Sequence, residues 1–252
     1  MQDENRKTCI VTGAAGGIGM ALVKTFHEAG YRVIGIDRVD SALAAGFGQH
    51  LQMDLARYAA DEACAETHTR QLREMLGGGG VDVLIHNAAV QILGRTDELT
   101  RADWLTTLQV NLLAPFLLTQ ALLPELERSQ ASVIQIGSIH ARLTKARFVA
   151  YATSKAALAG MGRALAVDLG PRIRVNTIEP AAIETAMLRE GFEGKPELYA
   201  QLEGCHPQQR IGQPEEVARL ALSISNGDLR FLHGATLHLD GGISARLHDP
   251  DE

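Results

Sequence analysis

A chain of 252 residues, 46% of them hydrophobic, has the length and apolar content of one α/β domain whose sheet is covered on both faces. Its net charge is −6 and it has no long block of like charge, which argues against non-specific binding to nucleic acid or to an anionic membrane. The three cysteines, Cys9, Cys64 and Cys205, are far apart and lack metal-type spacing; they fit a reducing compartment and point to no metal site.

The opening run from Met1 to Lys7 has no apolar stretch of the kind a secretory signal needs, so a cytoplasmic protein is expected. Thr8 to Val11 is a short β-branched and apolar run that reads as a buried strand. It feeds into Thr12-Gly13-Ala14-Ala15-Gly16-Gly17-Ile18-Gly19 and then into a helical pattern ending near Ala29. Strand, glycine-rich turn and helix in that order form the context in which a glycine pattern signals a dinucleotide site. Gly13 permits the tight turn, and Gly17 and Gly19 allow close approach to a pyrophosphate at the helix N-terminus, where free N–H groups attract an anion. A second strand, 32–36, ends at Asp37, about 20 residues past the turn. A carboxylate there accepts the ribose hydroxyls of an adenosine and repels a 2′-phosphate, so NAD is expected over NADP despite Arg38 next door.

Further strands are expected near 49–53, 81–86, 132–137, 172–178 and 235–239, with helical patterns between them. Such βαβ alternation builds a parallel sheet with helices on both sides. The glycines from Gly77 to Gly80 fall where a helix must stop before the fourth strand, and termination is preferred over a phosphate loop. Thr100 followed by Asp103 reads as an N-cap with a carboxylate in the first turn, opening a helix that carries Trp104 and Asn111. The leucine-rich segment 108–123 is interrupted by Asn111, Pro115, Thr119 and Gln120, so a buried helix is expected and not a membrane span. Tyr151 and Lys155 stand four apart, which on a helix stacks a phenol and an ammonium on one face. An ammonium about 4 Å from a phenol is expected to pull its pKa toward neutrality, the range acid–base work requires. The stretch 184–209, with Gly191, Gly194, Pro196 and Pro207, is the least regular and reads as a substrate lid.

Taken in order, these motifs resemble the short-chain dehydrogenase/reductase family, from about Lys7 to Gly242. The matching segments are Thr12 to Gly19, Asp54-Leu55, His86-Asn87-Ala88-Ala89, Val110-Asn111, Ser138 thirteen residues before Tyr151, Arg210 to Ala218, and Leu239 to Gly242. The resemblance implies a single Rossmann-type domain over 1–252 with seven parallel strands in the order 3-2-1-4-5-6-7. It implies a catalytic set of Asn111, Ser138, Tyr151 and Lys155, in which Asn111 anchors a water relay behind the lysine. Cofactor contacts are implied for Gly13, Ala15, Gly17, Ile18, Gly19, Asp37, Asp54, Leu55, Asn87, Ala88, Ala89, Tyr151, Lys155, Pro180, Ile183 and Thr185. The family also implies a homotetramer, or a homodimer, paired through the helices that carry Asn111 and Tyr151. Ala89 and Ala181 stand where the family usually has glycine, and a methyl group at either place threatens the backbone torsion or the cofactor's posture.

The activity so implied is NAD-dependent hydride transfer between a small secondary alcohol, or its ketone, and the nicotinamide. Two alternatives are an NADPH-dependent carbonyl reductase and a non-catalytic NAD-binding regulatory protein. Gln91 and His140 look like positions that hold the substrate carboxylate in short hydroxy-acid dehydrogenases of the family, such as 3-hydroxybutyrate dehydrogenase. The lysine those enzymes carry three residues before the tyrosine is Phe148 here, and a solvated basic turn around Arg142, Lys145 and Arg147 is the preferred reading.

Overall fold

The computed structural model describes residues 6–40 and 46–247. Most of the opening run, residues 1–5, therefore lies outside the described residues. The strands are β1 (Thr8–Thr12), β2 (Arg32–Asp37), β3 (Gln49–Gln52), β4 (Val83–His86), β5 (Ser132–Ile136), β6 (Arg174–Pro180) and β7 (Thr236–Leu239). All adjacent pairs are parallel and the order is β3-β2-β1-β4-β5-β6-β7, as the resemblance implied.

The helices are α1 (Gly17–Glu28), α2 (Leu55–Ala60), α3 (Glu62–Leu76), α4 (Arg101–Leu108), α5 (Ala114–Ala121), α6 (Leu123–Arg128), α7 (Val149–Leu169), α8 (Ala186–Gly191), α9 (Pro196–Gly204) and α10 (Pro214–Ser225). Alternate residues along the central strands supply two cores. Ile10, Ile34, Leu84, Val133 and Val175 pack on one face with side chains from α2, α3, α5, α6 and α7. Cys9, Val11, Val33, Ile85, Ile134 and Ile178 pack on the other with α1 and α10. A central strand such as β1, buried along its whole length, therefore reads as continuous apolar sequence.

Local signals act as expected at several boundaries. Gly77 takes a left-handed conformation and its N–H donates to Arg73 O, closing α3. Thr100 and Asp103 form a reciprocal capping box at the start of α4. The helix that opens at Thr100 runs unbroken through Asn111 to Ala121, and Gln109–Leu113 forms a π turn within it, between α4 and α5, a local widening often found at functional sites. One expectation needs correction: the stretch 184–209 is not irregular, because α8 and α9 occupy most of it, each kept short by neighbouring glycine or proline.

Candidate active site

The turn after β1 is held open for a nucleotide by glycines that admit no side chain. Gly13 has φ +65°, and a Cβ there would lie 2.7 Å from Ala88 Cα. A Cβ on Gly19 would lie 1.9 Å from Gly13 O, so α1 closes on the turn only with glycine at that position. The N-terminus of α1 carries no side-chain cap, which leaves its first N–H groups directed at the space above the turn. Asp37, at the end of β2, accepts the Ala15 N–H at 3.0 Å and so fixes its carboxylate beside the turn. This cradle fits a dinucleotide.

Of the other sequence-assigned cofactor residues, Asn87 braces the cradle. Asn87 Nδ2 donates to Thr12 O and Gly13 O at 3.0 Å, while Thr12 Oγ1 accepts the N–H groups of Asn87 and Ala88. Asp54 caps α2 by accepting from Ala56 N and Arg57 N, and Leu55 is buried behind it. Pro180 ends β6, Ile183 is buried and bridges to Gly212, and Thr185 caps α8 by accepting from Leu188 N. The Thr185 methyl lies against Gly17, where a Cβ would come within 2.9 Å of it. The start of α8 thus reaches the glycine turn, next to the half-buried Ile18. Neither Ala89 nor Ala181 adopts a positive φ, so the backbone here does not demand the glycines the family usually has.

At the ends of β4 and β5 the four catalytic candidates converge. The Tyr151 hydroxyl faces Ser138, whose Oγ accepts the His140 N–H at 3.2 Å. Lys155 is almost wholly buried beneath them; its Nζ donates to Ile136 O at 2.8 Å and lies 5.7 Å from the centre of the Tyr151 ring. Burial lowers the lysine pKa to about 8. Burial also pushes the Tyr151 phenol up, against a smaller lowering from Ser138. This reverses the expected direction: with the Lys155 ammonium donating to a main-chain carbonyl, desolvation of the phenolate prevails. Asn111 Oδ1 accepts from Val90 N, and its Nδ2 donates to Val90 O and to Ser154 Oγ. Ser154 Oγ in turn donates to Tyr151 O, so the π turn ties the loop after β4 to the first turns of α7.

A family model described as enoyl-(acyl carrier protein) reductase matches residues 13–244. The chain is a short-chain dehydrogenase/reductase. It is 31% identical over 251 residues to a D-threitol dehydrogenase of Mycolicibacterium smegmatis, covering 95% of this chain and 94% of that one. Among solved structures it resembles the aldohexose dehydrogenase of Thermoplasma acidophilum, with a TM-score of 0.90, 27% identity and coverage of 99% and 98%. It also resembles a 3-oxoacyl (acyl-carrier-protein) reductase from Agrobacterium tumefaciens with NADP bound, with a TM-score of 0.83, 28% identity and 93% of each chain covered. Use of a nicotinamide cofactor follows from the family.

The wall beside Tyr151 in this dehydrogenase/reductase is aromatic. The His140 and Phe148 rings stack at 4.2 Å with an interplanar angle of 8°, and both present edges to the Tyr151 ring. His140 Nδ1 is paired with Thr144 Oγ1, and burial, with the Lys145 charge, lowers the imidazole pKa to about 4, so it is neutral at neutral pH. Lys145 Nζ lies over the Phe148 ring, and Arg147 faces Glu98. Gln91 is exposed and is not brought to these rings by any hydrogen bond. Phe148, noticed in the sequence only as a missing lysine, is thus part of the wall beside the tyrosine. Among the described residues, no helix is long and apolar enough to cross a membrane.

Proposed function

We propose that the enzyme transfers hydride between NAD and a neutral secondary alcohol or its ketone, with Tyr151 as the general acid/base. The observation that carries this reading is the meeting of the Tyr151 phenol with Ser138 beside the glycine cradle, with Lys155 buried next to the tyrosine ring. In the oxidising direction Ser138 holds the substrate oxygen and Tyr151 takes its proton. The nicotinamide, when bound, supplies the acceptor for the hydride leaving the carbinol carbon. Lys155 provides the positive charge that favours the phenolate, and Asn111 keeps the loop at Val90 and the start of α7 in register while anchoring the proton path behind the lysine. Gly13, Gly17 and Gly19 admit the pyrophosphate, with Ala15, Ile18, Asp54, Leu55, Ala88, Ala89, Pro180, Ile183 and Thr185 around the rest of the nucleotide.

A neutral substrate is favoured over a short hydroxy acid. His140 is stacked and uncharged at neutral pH, Phe148 replaces a cation, and the nearest basic side chains are drawn to Phe148 and Glu98. The relatives named for threitol and aldohexose act, by their names, on uncharged hydroxylated compounds. A panel of polyols, aldoses, cyclic secondary alcohols and short 3-hydroxy acids, run with NAD and with NADP, tests the reading. Turnover is expected with a neutral alcohol; turnover confined to hydroxy acids would reverse the substrate assignment. Nucleotide binding with no turnover across the panel would favour a regulatory protein.

The bound NADP of the Agrobacterium reductase favours a second reading, NADPH-dependent reduction. Against it stands the Asp37 carboxylate, held at the turn by Ala15 N–H, where a 2′-phosphate would meet it. The ratio of kcat/KM values is expected to favour NAD by at least about tenfold, since one close like-charge contact is worth about 1.4 kcal/mol or more. Asp37→Ser should bring the ratio toward unity. A wild-type ratio favouring NADP would overturn the assignment.

We also propose a homotetramer built through α4–α5 and α7. Leu105 on α4, Leu113 on the π turn and Phe116 on α5, with Val149 and Val167 on α7, are exposed apolar side chains, with Leu105 51% and Val167 86% exposed. Light scattering should give four chains, with Leu105→Glu reducing the count; a wild-type monomer would remove the proposal. A cytoplasmic location belongs to the same reading, with Cys9, Cys64 and Cys205 all unpaired.

A further inference from the structure

One buried carboxylate has no part in the chemistry above. Glu179, the residue before Pro180 in β6, has a side chain only 1% exposed. Its Oε2 receives Arg142 Nε at 3.2 Å and His238 Nδ1 at 3.3 Å. Its Cγ lies 3.0 Å from where a Cβ on Gly137 would stand, so the side chain rests on the residue just before Ser138. Gly137 N also donates to Ile178 O at 2.7 Å. From Ser138 the chain makes a single tight turn, with Ala141 N donating to Ser138 O and Arg142 N to Ile139 O. Arg142 is the residue at which that turn ends.

We infer that Glu179 is a positioning residue that clamps both ends of the turn carrying Ser138, by contact at Gly137 and by the ion pair to Arg142. A buried carboxylate is strongly disfavoured unless it is paired, so the pair holds Arg142, and with it the far end of the turn, against β6. His238 is a third arm, from β7. The turn carries the Ser138 Oγ that faces the Tyr151 hydroxyl and the His140 ring that meets the Tyr151 ring edge-on. The clamp therefore sets the direction of the serine oxygen. Its catalytic consequence rests on the role proposed for Ser138; its mechanical consequence does not.

Hydrogen exchange followed by mass spectrometry on the full-length protein, with steady-state kinetics beside it, tests the clamp. In Glu179→Gln, which keeps shape and loses charge, amides in 138–147 should exchange about tenfold faster while those of β1, β4 and α1 keep their protection. With the best alcohol from the panel, kcat should fall about tenfold, with KM and the NADH dissociation constant close to wild type. Arg142→Met should do the same, and the double variant should be no worse than either single change. Unchanged local exchange, additive losses, or loosening spread evenly over the sheet would each overturn the clamp. If Glu179→Gln does not fold, the exchange pattern of Arg142→Met decides. Should the wild type turn over no alcohol at all, the proposed function fails while the exchange result still decides the clamp.

Discussion

Tyr151→Phe is expected to cut kcat/KM by about 10²–10⁴-fold, the usual contribution of a positioned acid–base group. The change removes one oxygen that faces Ser138 and leaves the ring, with its edge contacts to His140 and Phe148, in place. Folding and NADH affinity should therefore stay close to wild type, which fluorescence titration and thermal melting would verify. The same substitution should abolish the pH dependence of the alcohol-oxidising rate. Burial pushes the phenol up, so in the wild type that rate should climb with pH as the proton leaves and the ketone-reducing rate should decline. If Tyr151→Phe kept more than about a tenth of the wild-type rate, well outside the range for such a group, another residue would be handling the proton.

The parts of this fold that were legible in the sequence are those dictated by the backbone or by periodicity. Glycine at 13 and 19 is required by a positive φ and by a carbonyl 1.9 Å from any added Cβ, and such positions announce themselves. The strands were legible because a doubly covered parallel sheet makes continuous apolar runs. Boundaries shifted by two residues where β6 runs on through Glu179 and Pro180. Less legible was anything set by the environment of a polar group. The four-residue spacing placed Lys155 near Tyr151, yet whether its ammonium faces the phenol or Ile136 O depends on the packing of β5 against α7. Asn87 has the composition of a ligand contact, but its amide is engaged by Thr12 and Gly13. The Glu179–Arg142 pair spans 37 residues of chain, and only the strand register reveals it. A glutamate inside a buried strand was the available signal, because such a charge demands a partner.

His86 supplies a large effect of another kind, on stability below neutral pH. It ends β4 next to Asn87, is 3% exposed, and faces Thr119 Oγ1 at 2.8 Å from Nε2. The threonine hydroxyl donates its proton to Pro115 O, so it accepts from His86, which fixes the neutral ring with its hydrogen on Nε2. Burial lowers the imidazole pKa from 6.5 to about 3. Between those values the unfolded chain holds a proton that the folded chain lacks. Stability is therefore complete above about pH 6.5 and is lost as pH falls toward 3, at up to about 1.4 kcal/mol per pH unit, a few kcal/mol across the window. That is a substantial share of the roughly 5–15 kcal/mol that holds a domain of ordinary stability together. His86→Asn, the residue usual in the family at this position, has no proton to gain; its amide takes the place of Nδ1 and stops short of Thr119, a loss that does not vary with pH. Urea unfolding at pH 7 and pH 5 should show the wild type losing more than about 1 kcal/mol relative to the variant, with the acid midpoint of the variant moved lower. His140 has its pKa lowered to about 4 and adds a slope of the same sign, but it is common to both proteins and drops out of the difference. A gap between the two that does not change with pH would mean that His86 is protonated in the folded enzyme, and that the Thr119 hydroxyl points elsewhere.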